Sequence, residues 1–413
     1  MPSWNIIAVS ATETTELLIV GCGPAGATAA REAARAGAET LVLERDSVVG
    51  SKRVCAAGLR PGFCETFDVP RAIVHCDTPR LAFFDGAGAE YEVAFGPGHT
   101  TTREELDSKL AELAKREGAA VRTQALFRTL RRDGRGFIAE YADLAKGERR
   151  RVAARYVFLA PGATARLEDP SFGRVAMPDW RDGLLTTLQY RVYLEHRASA
   201  VAYRTLELHY YAARDGRQIV AWMFPKRDHL AIGLGVMGKI RADALRTELD
   251  LFTERVRARL YPQSGVRSVK TEGHLLYGGM PRPNVSDDGL LVGGTAAGFV
   301  DATNGEGIFE AAMSGRFAAD AVVRARSRGE HASVRYASDV NARFRRRLLH
   351  RVHIMRYLEQ RPARFAHLFE QLARIPRLAA VLLKEDSERT MSERLYLYSQ
   401  ALYFGFRTAA CRD

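Results

Sequence analysis

The chain has little that would staple it covalently or carry it into a membrane. Its five cysteines, Cys22, Cys55, Cys64, Cys76 and Cys411, are odd in number and widely spaced, with no Cys-x-x-Cys pair. That pattern excludes a disulfide framework and a zinc cluster, and it points to a reducing cytoplasm. No run of about 18 apolar residues occurs, so no bilayer-spanning helix is expected. Residues 1–16 contain no Lys or Arg and only a short apolar run, unlike a secretory leader. Isolated histidines such as His209, His229 and His274 show no ligand spacing, so no metal is expected.

What is present is the composition of a globular protein: 413 residues, 46% hydrophobic and 27% charged, enough for two or three structural units. The net charge of +12 comes almost wholly from arginine, since only eight of the 61 basic residues are lysines. Residues 324–364 concentrate it, with twelve arginines against three acids. Such a run usually forms a solvated helical face; as a binding surface it would meet phosphate, an acidic protein or an anionic lipid, the last as peripheral membrane contact, and not a nucleic acid.

The first strong pattern is a strand, Leu17 to Gly21, entering GCGPAG and then an alanine-rich helix, with a second strand at Thr40 to Leu43 ending in Glu44-Arg45. Gly21, Gly23 and Gly26 have dinucleotide-binding spacing: one for the tight turn, one for approach of a pyrophosphate, one for helix-strand packing. The helix N-terminus offers free amides to phosphate, and Glu44 suits a ribose diol. A second glycine-rich segment, Gly294 to Gly307, again joins a strand to a helix and could aim that helix at a cofactor ring.

Between these segments lie an amphipathic helix at Arg103 to Arg116 and strands at Ala120 to Leu130, Phe137 to Tyr141 and Val152 to Leu159. From Gly183 to Val236 the hydrophobic period is two, in four runs, as in an antiparallel sheet. Residues beyond Val340 read as helices broken at Arg361-Pro362 and Ile375-Pro376.

Three further segments carry a family resemblance: LLVGGTAAGFVDATNGEGIFEAAMSG, AWMFPKRDHLAIGLG and KRVCAAGL. They resemble, in order, the GDAAG…GEGI, YxWxFPK and KPCGGGL motifs of the geranylgeranyl reductase family, with the helical tail most similar to the chlorophyll-type branch. These are FAD proteins sharing the fold of para-hydroxybenzoate hydroxylase that saturate prenyl double bonds. The resemblance implies an α/β protein: a doubly wound, Rossmann-like FAD-binding domain from residues 1–78, 100–165 and 271–340, an antiparallel substrate domain from 79–99 and 166–270, and a helical region over 341–413. It assigns FAD contacts to Gly21, Gly23, Ala25, Gly26, Glu44, Arg45, Cys55, Ala56, Gly58, Arg103, Thr295, Gly305, Gly307 and Ile308. Cys55, Trp222 and Phe224 would face the substrate. Thr295 stands where the family has Asp, Pro161 replaces another Asp, and Val220 replaces the motif Tyr.

The implied reaction is hydride transfer from reduced flavin to a C=C bond of a geranylgeranyl chain on a lipid, pigment or diphosphate, with NAD(P)H or a reduced ferredoxin as electron donor. No catalytic residue is assigned; Cys55, Tyr277 or a held water could supply the proton, and Glu306 is either a functional carboxylate or a partner of the helix dipole. The alternatives are a flavin monooxygenase or halogenase, for which only Lys52 lies near a suitable loop, and a non-catalytic prenyl carrier. A cytoplasmic protein, peripheral at the membrane, is expected.

Overall fold

The computed structural model describes residues 13–51, 55–164, 167–195, 203–213, 216–238, 240–263, 265–359, 370–371, 374–383 and 389–410. In chain order its strands are β1 (Glu13–Val20), β2 (Thr40–Leu43), β3 (Gly58–Leu59), β4 (Cys76–Phe84), β5 (Glu90–Thr100), β6 (Ala120–Arg122), β7 (Ala125–Asp133), β8 (Gly136–Asp143), β9 (Glu148–Leu159), β10 (Leu184–Leu194), β11 (Thr205–Ala212), β12 (Gln218–Pro225), β13 (Leu230–Met237), β14 (Val266–Tyr277), β15 (Ser286–Asp287) and β16 (Leu290–Val292). The helices used below are α1 (Pro24–Arg35), α2 (Arg103–Arg116), α3 (Ala242–Leu260), α4 (Ile308–Arg328), α5 (Ala332–Val340), α6 (Arg346–Glu359), α7 (Pro376–Leu383) and α8 (Met391–Ala410).

Two eight-stranded sheets organise these elements. In the first, β16, β9, β1, β2 and β6 lie side by side in parallel, and β7 and β8 extend β9 as an antiparallel meander. Leu17 to Val20 of β1 are buried between β2 and β9, which is why this strand reads as an unbroken apolar run. Helix α1 packs on α4 nearly backbone to backbone: a Cβ on Gly315 would lie 2.1 Å from the Ala25 carbonyl. The alanines and glycines of both helices thus set the layer spacing. Helix α2 begins with Thr102, whose hydroxyl accepts the Glu105 amide.

The second sheet has the order β14-β10-β13-β12-β11-β4-β5-β3, antiparallel throughout except where β11 meets β4. One face packs on Leu245, Leu249, Phe252 and Val256 of α3 in a core of its own. The single strand expected at 120–130 is two, because Gln124 takes φ +54° and donates its amide to Asp46. Likewise β14 runs past the boundary expected at 271 and stays in the second sheet to Tyr277, while Leu167, Phe172 and Val175 join the first core. The tail is helical in α6, α7 and α8; α5 continues into α6 through a π-helical turn at Asn341–Arg345. Helix α7 starts at Pro376, as the expected break requires, whereas Arg361-Pro362 lies outside the described residues.

Candidate functional site

A cavity of about 890 Å³ lies between the two sheets. It is lined by Gly21, Gly23, Ala25, Glu44, Arg45, Cys55, Ala56, Gly58, Arg103, Thr295, Gly305, Gly307, Ile308, Trp222 and Phe224. Of the residues expected to contact FAD or substrate, all line this cavity except Gly26. That glycine has a packing duty: a Cβ there would lie 1.8 Å from the Gly21 carbonyl. Gly21 itself needs φ +93°. Gly23 differs, since an added Cβ would meet only the tip of Arg103, at 3.4 Å, and would project into the open space a phosphate needs.

Helix α1 has no side-chain cap and no acid in its first turn, so its free amides and positive dipole end face the cavity. The Glu44 carboxylate accepts the amides of Cys22 (2.9 Å) and Asp46 (3.0 Å), fixing the turn beside it. Arg45 reaches Asp46, at 3.4 Å, on the surface. Arg103 is buried and pairs with Asp107 at 2.6 Å. Burial opposes its charge, but Asp107 and the Cys55 thiol outweigh that and hold its proton more tightly than usual.

The loop carrying Cys55 is clamped from the second sheet. The Cys55 sulfur accepts the Ala57 amide at 3.3 Å. Lys226, fully buried at the end of β12, donates to the carbonyls of Ala56, Ala57 and Thr101. Burial lowers its pKa to about 7, with Cys55 pulling in the other direction.

At the opposite wall α4 also starts without a side-chain cap, at Gly307. A Cβ on Gly305 would meet nothing, so this turn is open to the cavity. Thr295 lies in a short helical turn that Arg282 braces by donating to the Ala296 carbonyl at 2.6 Å. Glu306 is held by Arg60 through both carboxylate oxygens, at 2.6 and 2.9 Å. Arg60 also reaches Glu310, which Arg347 of α6 bonds at 2.7 Å. Burial pushes the Glu306 carboxyl above its ordinary range, against the pull of Arg60. Glu306 is therefore an ion-pair member tying the cysteine loop to α4, a role that neither expectation foresaw.

The remaining wall is mostly apolar, with Thr187 and His274 among its members. Leu81, Leu206, Leu208, Trp222 and Phe224 form one cluster with Met355 of α6. Two glycines create the room: a Cβ on Gly58 would lie 2.7 Å from the Phe224 ring, and one on Gly233 would lie 2.3 Å from the indole of Trp222. Tyr277 stacks on Trp180 at 3.6 Å and donates its hydroxyl proton to the Met280 carbonyl. Lys52 lies outside the described residues. Among the described residues no group of three His, Cys, Asp or Glu side chains is arranged to hold a metal, and no helix is long and apolar enough to cross a membrane.

Residues 14–272 match the FAD binding domain family. The chain is 27% identical over 332 residues to a geranylgeranyl diphosphate reductase of Rhodobacter capsulatus, covering 78% of each chain. It is 30% identical to a digeranylgeranylglycerophospholipid reductase of Methanopyrus kandleri, over 75% of this chain and 80% of that one. A geranylgeranyl bacteriochlorophyll reductase-like protein from Thermoplasma acidophilum superposes with a TM-score of 0.68 at 21% identity, over 94% and 96% of the two chains. A flavin-dependent brominase superposes equally well, TM-score 0.69 at 16% identity over 94% and 99%, which reflects the shared fold.

Proposed function

The chain belongs to the FAD-binding flavoproteins of the geranylgeranyl reductase family, and on that premise we propose that it uses FAD to saturate C=C bonds of a geranylgeranyl chain on a lipid, pigment or diphosphate. One observation carries the reading beyond kinship. A single cavity has an uncapped helix N-terminus at each of two walls and, between them, a second-sheet wall that is mostly apolar, with Thr187, His274 and Tyr277 its polar members among the described residues.

The residues fit a dinucleotide. Amides at Gly23 and Ala25 receive the pyrophosphate, Glu44 a ribose, and Arg103 the phosphate or ring side of the pocket. With FAD bound, Thr295, lacking the charge of Asp, would offer a hydroxyl to the ribityl chain, and the α4 N-terminus would stabilise negative charge on the isoalloxazine. Bound and reduced, FAD supplies hydride to one alkene carbon. The chain's own residues do the rest. Trp222, Phe224 and the leucines hold the prenyl chain in a dry slot, fixing the alkene and keeping out water and oxygen. Tyr277 has its proton committed to Met280; that leaves the Cys55 thiol or a held water to protonate the other carbon.

NAD(P)H or a reduced ferredoxin delivers the electrons in this proposal. Peripheral membrane contact falls to a limited part of the arginine-rich segment. Arg324, Arg326, Arg335, Arg345, Arg347 and Arg351 are tied to partners within the fold, and the exposed face of α6 carries Arg346, His350, Ile354 and Arg356. Oxygen uptake separates reduction from monooxygenation: prenyl reduction consumes none in proportion to product, and stoichiometric uptake would favour the monooxygenase.

A further inference from the structure

We propose that Gln189 is a positioning residue for the prenyl chain, acting by fixing the indole plate of Trp222 relative to the helix that carries Arg103. This rests on the reductase reading above. In the second sheet Glu272, Gln189, Gly233 and Trp222 form one cross-strand row over β14, β10, β13 and β12. Because residue 233 has no side chain, the indole of Trp222 reaches across β13, and its N–H donates to the Gln189 side-chain carbonyl at 2.9 Å.

The other end of the Gln189 amide donates to Glu272 at 3.1 Å. Glu272 pairs with Arg191 at 2.8 Å, and Arg191 pairs with Glu104 at 2.6 Å. Glu104 lies in the first turn of α2, next to Arg103. Gln189, Glu272 and Trp222 are all buried.

Every step of this chain has one geometry. One donor, the Trp222 indole, and one acceptor, Glu272, fix the amide's orientation, the amide fixes the indole, and the ion pairs tie both to α2. A merely apolar solution would be cheaper, since burying a carboxylate and a guanidinium costs desolvation that packed hydrocarbon avoids. The network instead references the substrate wall to the cofactor side, which is what placing one alkene against a flavin requires. Gln189 lies behind Trp222 and does not line the cavity, so its effect is indirect.

The test compares wild type with Gln189→Met, which keeps length but loses both hydrogen bonds, and with the exchange Gln189→Glu/Glu272→Gln, which restores one amide and one carboxylate. The first readout is fluorine NMR of protein labelled with fluorotryptophan, whose three indoles give three resonances, Trp222→Phe identifying the one that matters. Gln189→Met should shift or broaden that resonance alone, and the exchange should restore it. The second is kcat per bound flavin with geranylgeranyl diphosphate, together with the distribution of partly saturated products. We expect roughly a three- to tenfold fall in kcat, little change in KM, and recovery in the exchange variant. An unmoved Trp222 resonance, or an unchanged kcat per flavin in an active enzyme, overturns the assignment. Wild type that leaves the prenyl chain unreduced overturns the reductase reading instead.

Discussion

Lys226 and Thr101 meet inside the fold, the lysine ammonium donating to the Thr101 carbonyl at 2.7 Å although the two residues sit on different strands' ends. The same ammonium bonds the Ala56 and Ala57 carbonyls, so one buried charge joins the end of β12, the cysteine loop and the residue just before the cap of α2. The segment Phe224-Pro225-Lys226 therefore builds two things: an aromatic wall and a latch on the loop beside it.

That latch titrates. Burial lowers the Lys226 pKa from 10.5 to about 7, so the unfolded chain holds a proton more tightly than the folded one across that window. The folded state thus gains stability as pH rises from 7 towards 10, by at most about 1.4 kcal/mol per pH unit from this group. Urea unfolding of wild type and Lys226→Met at pH 7, 8 and 9 measures it: the wild-type curve should climb relative to the variant. Parallel curves would show that Lys226 stays charged in the fold.

The two glycines of the first turn should fail differently. Gly26→Ala forces a methyl group onto the Gly21 carbonyl and should destabilise the protein by about 3 kcal/mol or more. Gly23→Ala meets only the end of Arg103, so the apoprotein should melt near the wild-type temperature while FAD affinity falls roughly tenfold. Thermal melts and flavin titration of both variants check this pair.

Arg60→Met leaves Glu306 and Glu310 with one arginine between them. Breaking this partly buried pair should cost about 1–3 kcal/mol, less than the loss of a fully buried one. The Glu306 carboxyl, already pushed up by burial, rises further without Arg60, so the variant's deficit should deepen once pH climbs past the raised wild-type pKa of this group. Arg60→Met/Glu306→Gln should recover most of the loss in denaturant melts.

These sites differ in how far they could be read from sequence. The two glycine segments were legible because each is local: strand, turn and helix follow one another, and the steric need lies within a few residues. Trp222 and Phe224 were legible through their motif. Arg60, Lys226 and Gln189 were not, since their partners lie far along the chain and no periodicity marks them. One signal was available: Ala231, Gly233 and Gly235 alternate on a single face of β13, beside the aromatic residues of β12, and such a row of small residues marks space kept for a large neighbour. The arginine run misleads for a related reason. Arg347 and Arg351 stand one helical turn apart and turn inward to Asp301, so their charge serves the fold and not the surface.

The most direct measurement of the central claim is anaerobic. Protein loaded with FAD is reduced with dithionite, freed of excess reductant, and mixed with geranylgeranyl diphosphate or a geranylgeranylated lipid while the flavin spectrum is followed and the product weighed. The account predicts that the flavin reoxidises without oxygen and that the prenyl product gains two hydrogens for each bond saturated. Flavin that stays reduced until air is admitted, with the prenyl chain unchanged, would contradict it.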